Sequence, residues 1–285
     1  MVFRQGVSVA KNWVVSCLFS EKFLAGPSGF LDRSAVTKFK VFGIDFSSLS
    51  LEMLIDELVK NSPDEKEGIT LFTANLDHVV KMRKSPAFRQ AYGRASIVTA
   101  DGFPVYFFAR LRGAQLPGRV TGADLFPALL ARLSPKKHLP FFVVGDKETA
   151  ACIEGVLVER GFKKVVAIVP PFGFEEDADY SHRLAERVAA HGTTHLFFCV
   201  GAPKSEIWLD QHRQMIGPCH ALALGMGANF FAGTARRAPP WVQRIGGEWF
   251  WRFLHEPRRL FRRYFIDSWW FLLAMAEDLM RKKIS

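Results

Sequence analysis

The chain has 285 residues, 49% hydrophobic and 23% charged, with 22 Gly and 15 Pro, a balance that excludes disordered, collagenous and low-complexity classes. Its longest uninterrupted apolar run, Trp269 to Ala276, is eight residues, far short of the about 18 that a membrane-spanning helix needs. Lys and Arg outnumber Asp and Glu by 38 to 28, a formal charge of +10 that points to an anionic partner: nucleic acid, acidic lipid or a phosphorylated substrate.

Residues 1–35 carry a short apolar stretch around Trp13 to Phe19, with little basic leader and no clean small-residue cleavage pattern. They read as a poorly ordered extension rather than a secretory signal. Patterned sequence begins near Val36. The spacing of Leu51, Leu54, Ile55, Leu58 and Val59 predicts a helix over 49–60 capped by Ser47 or Ser48. Short apolar runs then alternate with amphipathic stretches, the signature of βα units and a mostly parallel sheet. Strands are predicted over 69–73, 96–100, 140–144, 165–169, 195–200 and 220–224, and helices over 76–84, 103–112, 123–133, 147–160, 177–191 and 204–214. Cys17, Cys152, Cys199 and Cys219 form no C-x-x-C pair, which suits a reducing compartment. The expected organisation is an extension over 1–35, an α/β domain over 36–234 and a basic helical appendage over 235–285.

In parallel sheets ligands sit outside the carboxyl ends of the strands, where helix N-termini converge. The residues on that rim are Thr73-Ala74-Asn75, Thr99-Ala100-Asp101-Gly102, Val144-Gly145-Asp146, Pro170-Pro171-Phe172-Gly173 and Gly201-Ala202-Pro203-Lys204. Asp101 fits a helix N-cap and equally a partly desolvated general base. Asn75 fits a cap or a ligand contact. Arg119, in the loop leading to Thr121-Gly122-Ala123-Asp124, is a planar cation suited to phosphate, and Lys204 stands at the start of a helix behind Pro203. Several patterns are weaker. Asp177-Ala178-Asp179 has a metal-binding spacing but falls where a helix start favours acids anyway. Gly225-Met226-Gly227-Ala228 does not complete a dinucleotide loop. His78 reads as a core or surface histidine, and G-x-S-x-G is missing.

The charge is concentrated at the end of the chain. Residues 236–285 hold eleven Lys and Arg against five acids, net +6, and five of the seven Trp. Behind Pro257, Arg258, Arg259, Arg262 and Arg263 fall on one helix face, with Leu260, Phe261, Tyr264 and Phe265 opposite. Basic helices flanked by Trp bind anionic lipid surfaces. Nucleic-acid binding is the rival reading, as Arg interleaved with aromatics also suits phosphate and bases, but no nucleic-acid motif is present.

The blocks Thr73-Ala74-Asn75, Ala100-Asp101-Gly102, Arg119 to Asp124, Val144-Gly145, Gly201-Ala202-Pro203-Lys204 with Glu206, Gly225 to Gly227, Gly233 with Arg237-Ala238-Pro239, and Glu248-Trp249 with Arg252, Glu256-Pro257 and Arg262-Arg263-Tyr264 resemble, in order, the WecG/TagA/CpsF family of bacterial glycosyltransferases over about residues 38–265. The resemblance implies a Rossmann-like fold and an inverting transfer, without metal or other cofactor, from a UDP-sugar donor to a saccharide on a polyprenyl diphosphate. That transfer would occur at the inner face of the cytoplasmic membrane, to which the enzyme attaches peripherally; an oligomer is compatible with it. It implies Asp101 as catalytic base, with Thr73, Asn75 and Gly102 beside it and Arg119 as a pocket cation. Gly122, Gly201, Lys204 and Glu206 become substrate contacts, and Arg252, Arg259 and Arg262 become diphosphate contacts from the appendage. Two blocks depart from the family: Ser205 stands where Gln is frequent, and Pro170-Pro171-Phe172-Gly173 replaces an H-G-Y-F-like pattern. A basic membrane or nucleic-acid binding protein without activity is the alternative, and a nicotinamide oxidoreductase a third.

Overall fold

The computed structural model describes residues 36–60, 68–239, 241–242, 247–255, 261 and 268–281. The chain opens on an antiparallel hairpin, β1 (Lys38–Val41) and β2 (Ile44–Ser47), followed by α1 (Leu51–Lys60). Next come β3 (Thr70–Ala74), α2 (Leu76–Lys84), α3 (Pro86–Arg94), β4 (Ile97–Ala100), α4 (Phe103–Leu111) and α5 (Gly122–Arg132). The second half runs β5 (Pro140–Val144), α6 (Lys147–Glu159), β6 (Val166–Ile168), α7 (Ala178–Ala190), β7 (His195–Cys199), α8 (Lys204–His212), β8 (His220–Ala223) and α9 (Gly227–Ala232). Helices α10 (Glu248–His255) and α11 (Ser268–Arg281) follow.

Six strands form one sheet in the order β4-β3-β8-β7-β5-β6, every pair parallel. Both faces are covered, so β3, β5 and β7 are buried at every position, and their near-continuous apolar sequences are what such burial requires. The strand period of two divides the core. Phe72, Phe141, Val143, Leu196 and Phe198 face one layer; Leu71, Phe142, Val144, Phe197 and Leu222 face the other.

The predicted helix starts are met by particular caps. Asn75 caps α2 through its side-chain oxygen, Thr121 caps α5 and Asp146 caps α6. Asp177 caps α7 by accepting the Tyr180 N–H at 2.9 Å, the bland use of the D-x-D pair. At α1 the expectation is corrected: Ser50, not Ser47 or Ser48, meets the Met53 N–H, at 3.2 Å. Ser48 instead donates to the Gln115 carbonyl, and Ser47 is buried.

The hairpin turn places Phe42 at φ +56 and Gly43 at φ +74, the pair of positive values a two-residue turn needs. A bulky residue rarely sits there, and Phe42 is held by tertiary contacts. Its ring stacks on Phe108 at 4.8 Å and meets Phe271 at 5.3 Å, and its N–H donates to Asp278 at 2.7 Å. Helix α11 is thereby fixed to the sheet domain, with Arg83–Glu277 and Arg112–Asp278 ion pairs beside it. Among the described residues no helix is long and apolar enough to cross a membrane.

Candidate active site

Parallel register brings the ends of β3 and β4 level, pairing Thr73 with Thr99 and Ala74 with Ala100. The next residues, Asn75 and Asp101, therefore emerge side by side, and the Asp101 N–H donates to the Ala74 carbonyl at 2.9 Å. Gly102 follows as the N-cap position of α4. A Cβ there would meet the Asn75 Cβ at 3.0 Å, so glycine permits the two strand ends to stay close. Asp101 itself is not the cap, and its carboxylate is left to the cleft.

The cleft has a volume of about 600 Å³ and lies outside the carboxyl ends of β4, β3, β8 and β7. Thr73, Asn75, Asp101, Gly102, Arg119 and Gly201 all line it. Thr73 is nearly enclosed, its carbonyl taken by Tyr92 Oη at 3.0 Å and by His78 Nδ1 at 2.7 Å; His78 is thus a buried, satisfied histidine. Asn75 spends its oxygen on the Asp77 and His78 N–H groups, which leaves the amide NH₂ as its donor end. Lys81 crosses the cleft wall, bonding the Ala202 carbonyl at 2.9 Å and Asp77 at 2.8 Å, and so ties α2 to the loop after β7.

Asp101 is pushed up to about 6, first by burial and then by the negative fields of Glu248 and Asp124. A hydrogen bond from the Gly122 N–H, at the start of α5, and the charge of Arg119 act the other way. Asp124 accepts from Thr121 Oγ1 at 2.7 Å and pairs with Arg237 Nη1 at 2.7 Å; Arg237 Nε stands 4.0 Å from Glu248. Burial opposes the Arg237 charge, but the Asp124 hydrogen bond and the fields of Asp124, Glu248 and Asp101 outweigh it and raise its pKa. Three carboxylates and two guanidinium groups thus converge where α5 begins.

Gly122 sits between the lining residues Thr121 and Ala123 and packs directly on the end of β8. A Cβ at Gly122 would stand 2.5 Å from the Leu224 carbonyl oxygen. Gly122→Ala is therefore expected to lower stability by about 1–3 kcal/mol in thermal denaturation, and an unchanged Tm would contradict this close approach.

Other expected contacts lie elsewhere. Lys204 pairs with Glu175 at 2.5 Å and covers the Phe172 ring at 4.7 Å, away from the lining of the Asp101 cleft. Glu206 is buried and pushed up to about 7 by that burial. Arg259 and Arg262 lie outside the described residues, as does the rest of the two-faced helix behind Pro257, save Phe261, and the side chain of Arg252 is likewise not described.

A second cleft, of about 640 Å³, shares Met226 with the first. It opens at the N-terminus of α6 and is lined by the cations Lys147 and Arg236, the carboxylates Asp146 and Glu148, and Asn229, Trp251 and His255. The Trp251 and His255 rings lie 4.6 Å apart. Asn229 bonds Asp146 at 2.7 Å, joining α9 to the α6 cap. Of this cleft the sequence marked only the edge, Asp146 on the strand rim and Met226, and it did not bring out Arg237, Asp124 and Glu248 as a charged group. The one signal was that Arg237, Glu248 and Asp124 fall in blocks shared with the family.

A glycosyl transferase family model, WecG/TagA/CpsF, matches residues 39–285. The chain belongs to that family. It is therefore a glycosyltransferase, and the readings as an inactive binding protein or a nicotinamide enzyme are set aside. It is similar to an N-acetylglucosaminyldiphosphoundecaprenol N-acetyl-beta-D-mannosaminyltransferase of Bacillus spizizenii, 28% identical over 217 residues, which are 76% of this chain and 82% of the relative. The protein of the same description from Bacillus subtilis is 25% identical over 245 residues, 85% of this glycosyltransferase and 93% of its relative.

Proposed function

We propose that this glycosyltransferase moves a sugar, N-acetylmannosamine first among candidates, from a UDP-sugar to a saccharide carried on polyprenyl diphosphate, by inverting displacement without a metal. The relatives' names supply the sugar and the acceptor class. The observation that carries the reading is Asp101: a carboxylate on the cleft floor, raised to about 6, is a base matched to near-neutral pH and able to take a proton from an acceptor hydroxyl. The hydroxyl oxygen then attacks the anomeric carbon from the face opposite the nucleotide, and the anomeric bond to the diphosphate breaks. Charge grows on the departing diphosphate, where Arg119 and helix N-termini stabilise it. The second cleft supports the nucleotide end of the donor, with the cations Lys147 and Arg236, the rings of Trp251 and His255 and the start of α6. Thr73, Asn75, Gly102 and Gly201 shape the acceptor side. Peripheral attachment is supported by Trp269, Leu272 and Leu273, exposed on α11, and by Trp270 beside the cations of Arg83 and Lys84.

The test is a screen of UDP-sugars against N-acetylglucosaminyl-diphosphoundecaprenol in the presence of EDTA. Nucleotide release coupled to a longer lipid-linked saccharide is expected; no coupled product from any donor would sink the reading. The same assay reads the base. Only ionised Asp101 can accept a proton, so kcat/KM is expected to fall as pH drops through about 6. A profile flat down to pH values near the ordinary carboxylate range of about 4 would remove Asp101 from that role.

A further inference from the structure

Helix α4 starts at the catalytic carboxylate and carries an apolar stripe outward. Phe103 lines the cleft with Pro104. Phe103, Phe107 and Leu111, spaced by four, fall on one face and are 43%, 52% and 67% exposed. The Phe103 and Phe107 rings stack at 5.9 Å with an interplanar angle of 15°. The stripe runs about 12 Å at 1.5 Å per residue. The opposite face of the same helix holds Val105, Phe108 and Ala109 in the core, so the fold of α4 does not require the exposed rings. Soluble proteins scatter single apolar residues on their surface, but a continuous stripe opening from a site marks a contact.

We infer that this stripe seats the first isoprene units of the acceptor's polyprenyl chain; the inference rests on the acceptor class proposed above. A saccharide placed with its hydroxyl at Asp101 carries an uncharged branched hydrocarbon beyond its diphosphate, and that chain must leave the cleft along some wall. The Phe103 wall is apolar and continuous from inside the cleft to the surface. The nearby cations argue for a neutral hydrocarbon over an anionic bilayer as the occupant. Arg110 donates to the Leu116 carbonyl at 3.1 Å, and Arg112 pairs with Asp278 at 3.3 Å. Arg112 is thereby neutralised within the protein, and Arg110, although exposed, is tied to the loop after α4.

The experiment compares two acceptors in detergent micelles, N-acetylglucosaminyl diphosphate on an undecaprenyl chain and on a citronellyl chain, with wild type and with the double variant Phe107→Ser, Leu111→Gln. Both replaced residues are surface-exposed, so thermal stability is expected to hold. For the long-chain acceptor the variant's KM is expected to rise about tenfold, the effect of losing partial burial of two large apolar side chains. For the short-chain acceptor KM stays unchanged, and kcat is unchanged for both. Equal effects on the two acceptors, or none, overturn the inference. Loss of binding to anionic vesicles with both KM values intact also overturns it and makes the stripe a bilayer contact; an altered sedimentation coefficient with intact KM values makes it a self-association face. If wild type turns over neither acceptor, the failure belongs to the underlying reading of the acceptor.

Discussion

Asp101→Asn is expected to reduce kcat by about 10²- to 10⁴-fold, the usual contribution of a positioned acid or base, while the folded protein becomes more stable above pH 6. The two effects share one origin. The carboxylate is enclosed among Glu248 and Asp124 and sits at about 6 instead of the ordinary 3.8. The folded state therefore holds its proton more tightly than the unfolded chain between those values. The stability this contributes is fully present below 3.8 and is lost as pH rises through 6. At neutral pH the ionised group costs on the order of 1–3 kcal/mol, which an uncharged amide of the same shape does not. Parallel initial-rate measurements and thermal melts at pH 5 and pH 8 check this: the stability gain is larger at pH 8, where the wild-type loss is complete, than at pH 5, where it is only partly developed, and the rate loss appears at both. A variant that loses stability equally at both pH values, or that retains turnover, contradicts the assignment.

Arg237→Met is expected to produce the largest loss of stability, about 3 kcal/mol, because it leaves Asp124 and Glu248 without the cation between them. Methionine keeps most of the packing volume, so the change isolates charge. The catalytic consequence follows from the same field. Asp124 and Glu248 already raise Asp101, and removing their counter-ion strengthens that push, moving the acid limb of kcat/KM above pH 6. Adding Glu248→Gln to Arg237→Met returns part of the stability and moves the limb back down. Melting curves and pH profiles of the single and double variants distinguish this from loss of packing, which Glu248→Gln cannot repair.

The sheet was legible because its strands are buried on both faces. Pro140 to Val144 is predicted at the bounds it takes, and the Leu76–Lys84 helix likewise, since Asn75 marks its start and Ser85-Pro86 its stop. The hairpin over 38–47 escaped notice because its strands are four residues long and its turn is Phe42-Gly43, held by Phe108, Phe271 and Asp278 rather than by turn chemistry. Helix α3 escaped because only Phe88, Ala91 and Tyr92 are buried on it, too few to set a period. Within the cleft, Thr73, Asn75 and Asp101 were reachable from sequence, as each ends or follows a strand and parallel strands end together. The grouping of Arg237 and Glu248 with Asp124 was not, because residues far apart in the chain meet there only through the fold. Lys204 shows the opposite limit: its place behind Pro203 is a helix start, but Glu175 and Phe172 from the loop before α7 occupy its charge.

The most direct measurement is the anomeric configuration and stoichiometry of the product formed from UDP-N-acetylmannosamine and N-acetylglucosaminyl-diphosphoundecaprenol by the full chain in EDTA. One UDP is predicted for each disaccharide-lipid, with the new linkage inverted relative to the donor. Retained configuration, a requirement for added divalent metal, or UDP release without a lipid-linked disaccharide would contradict single displacement at Asp101.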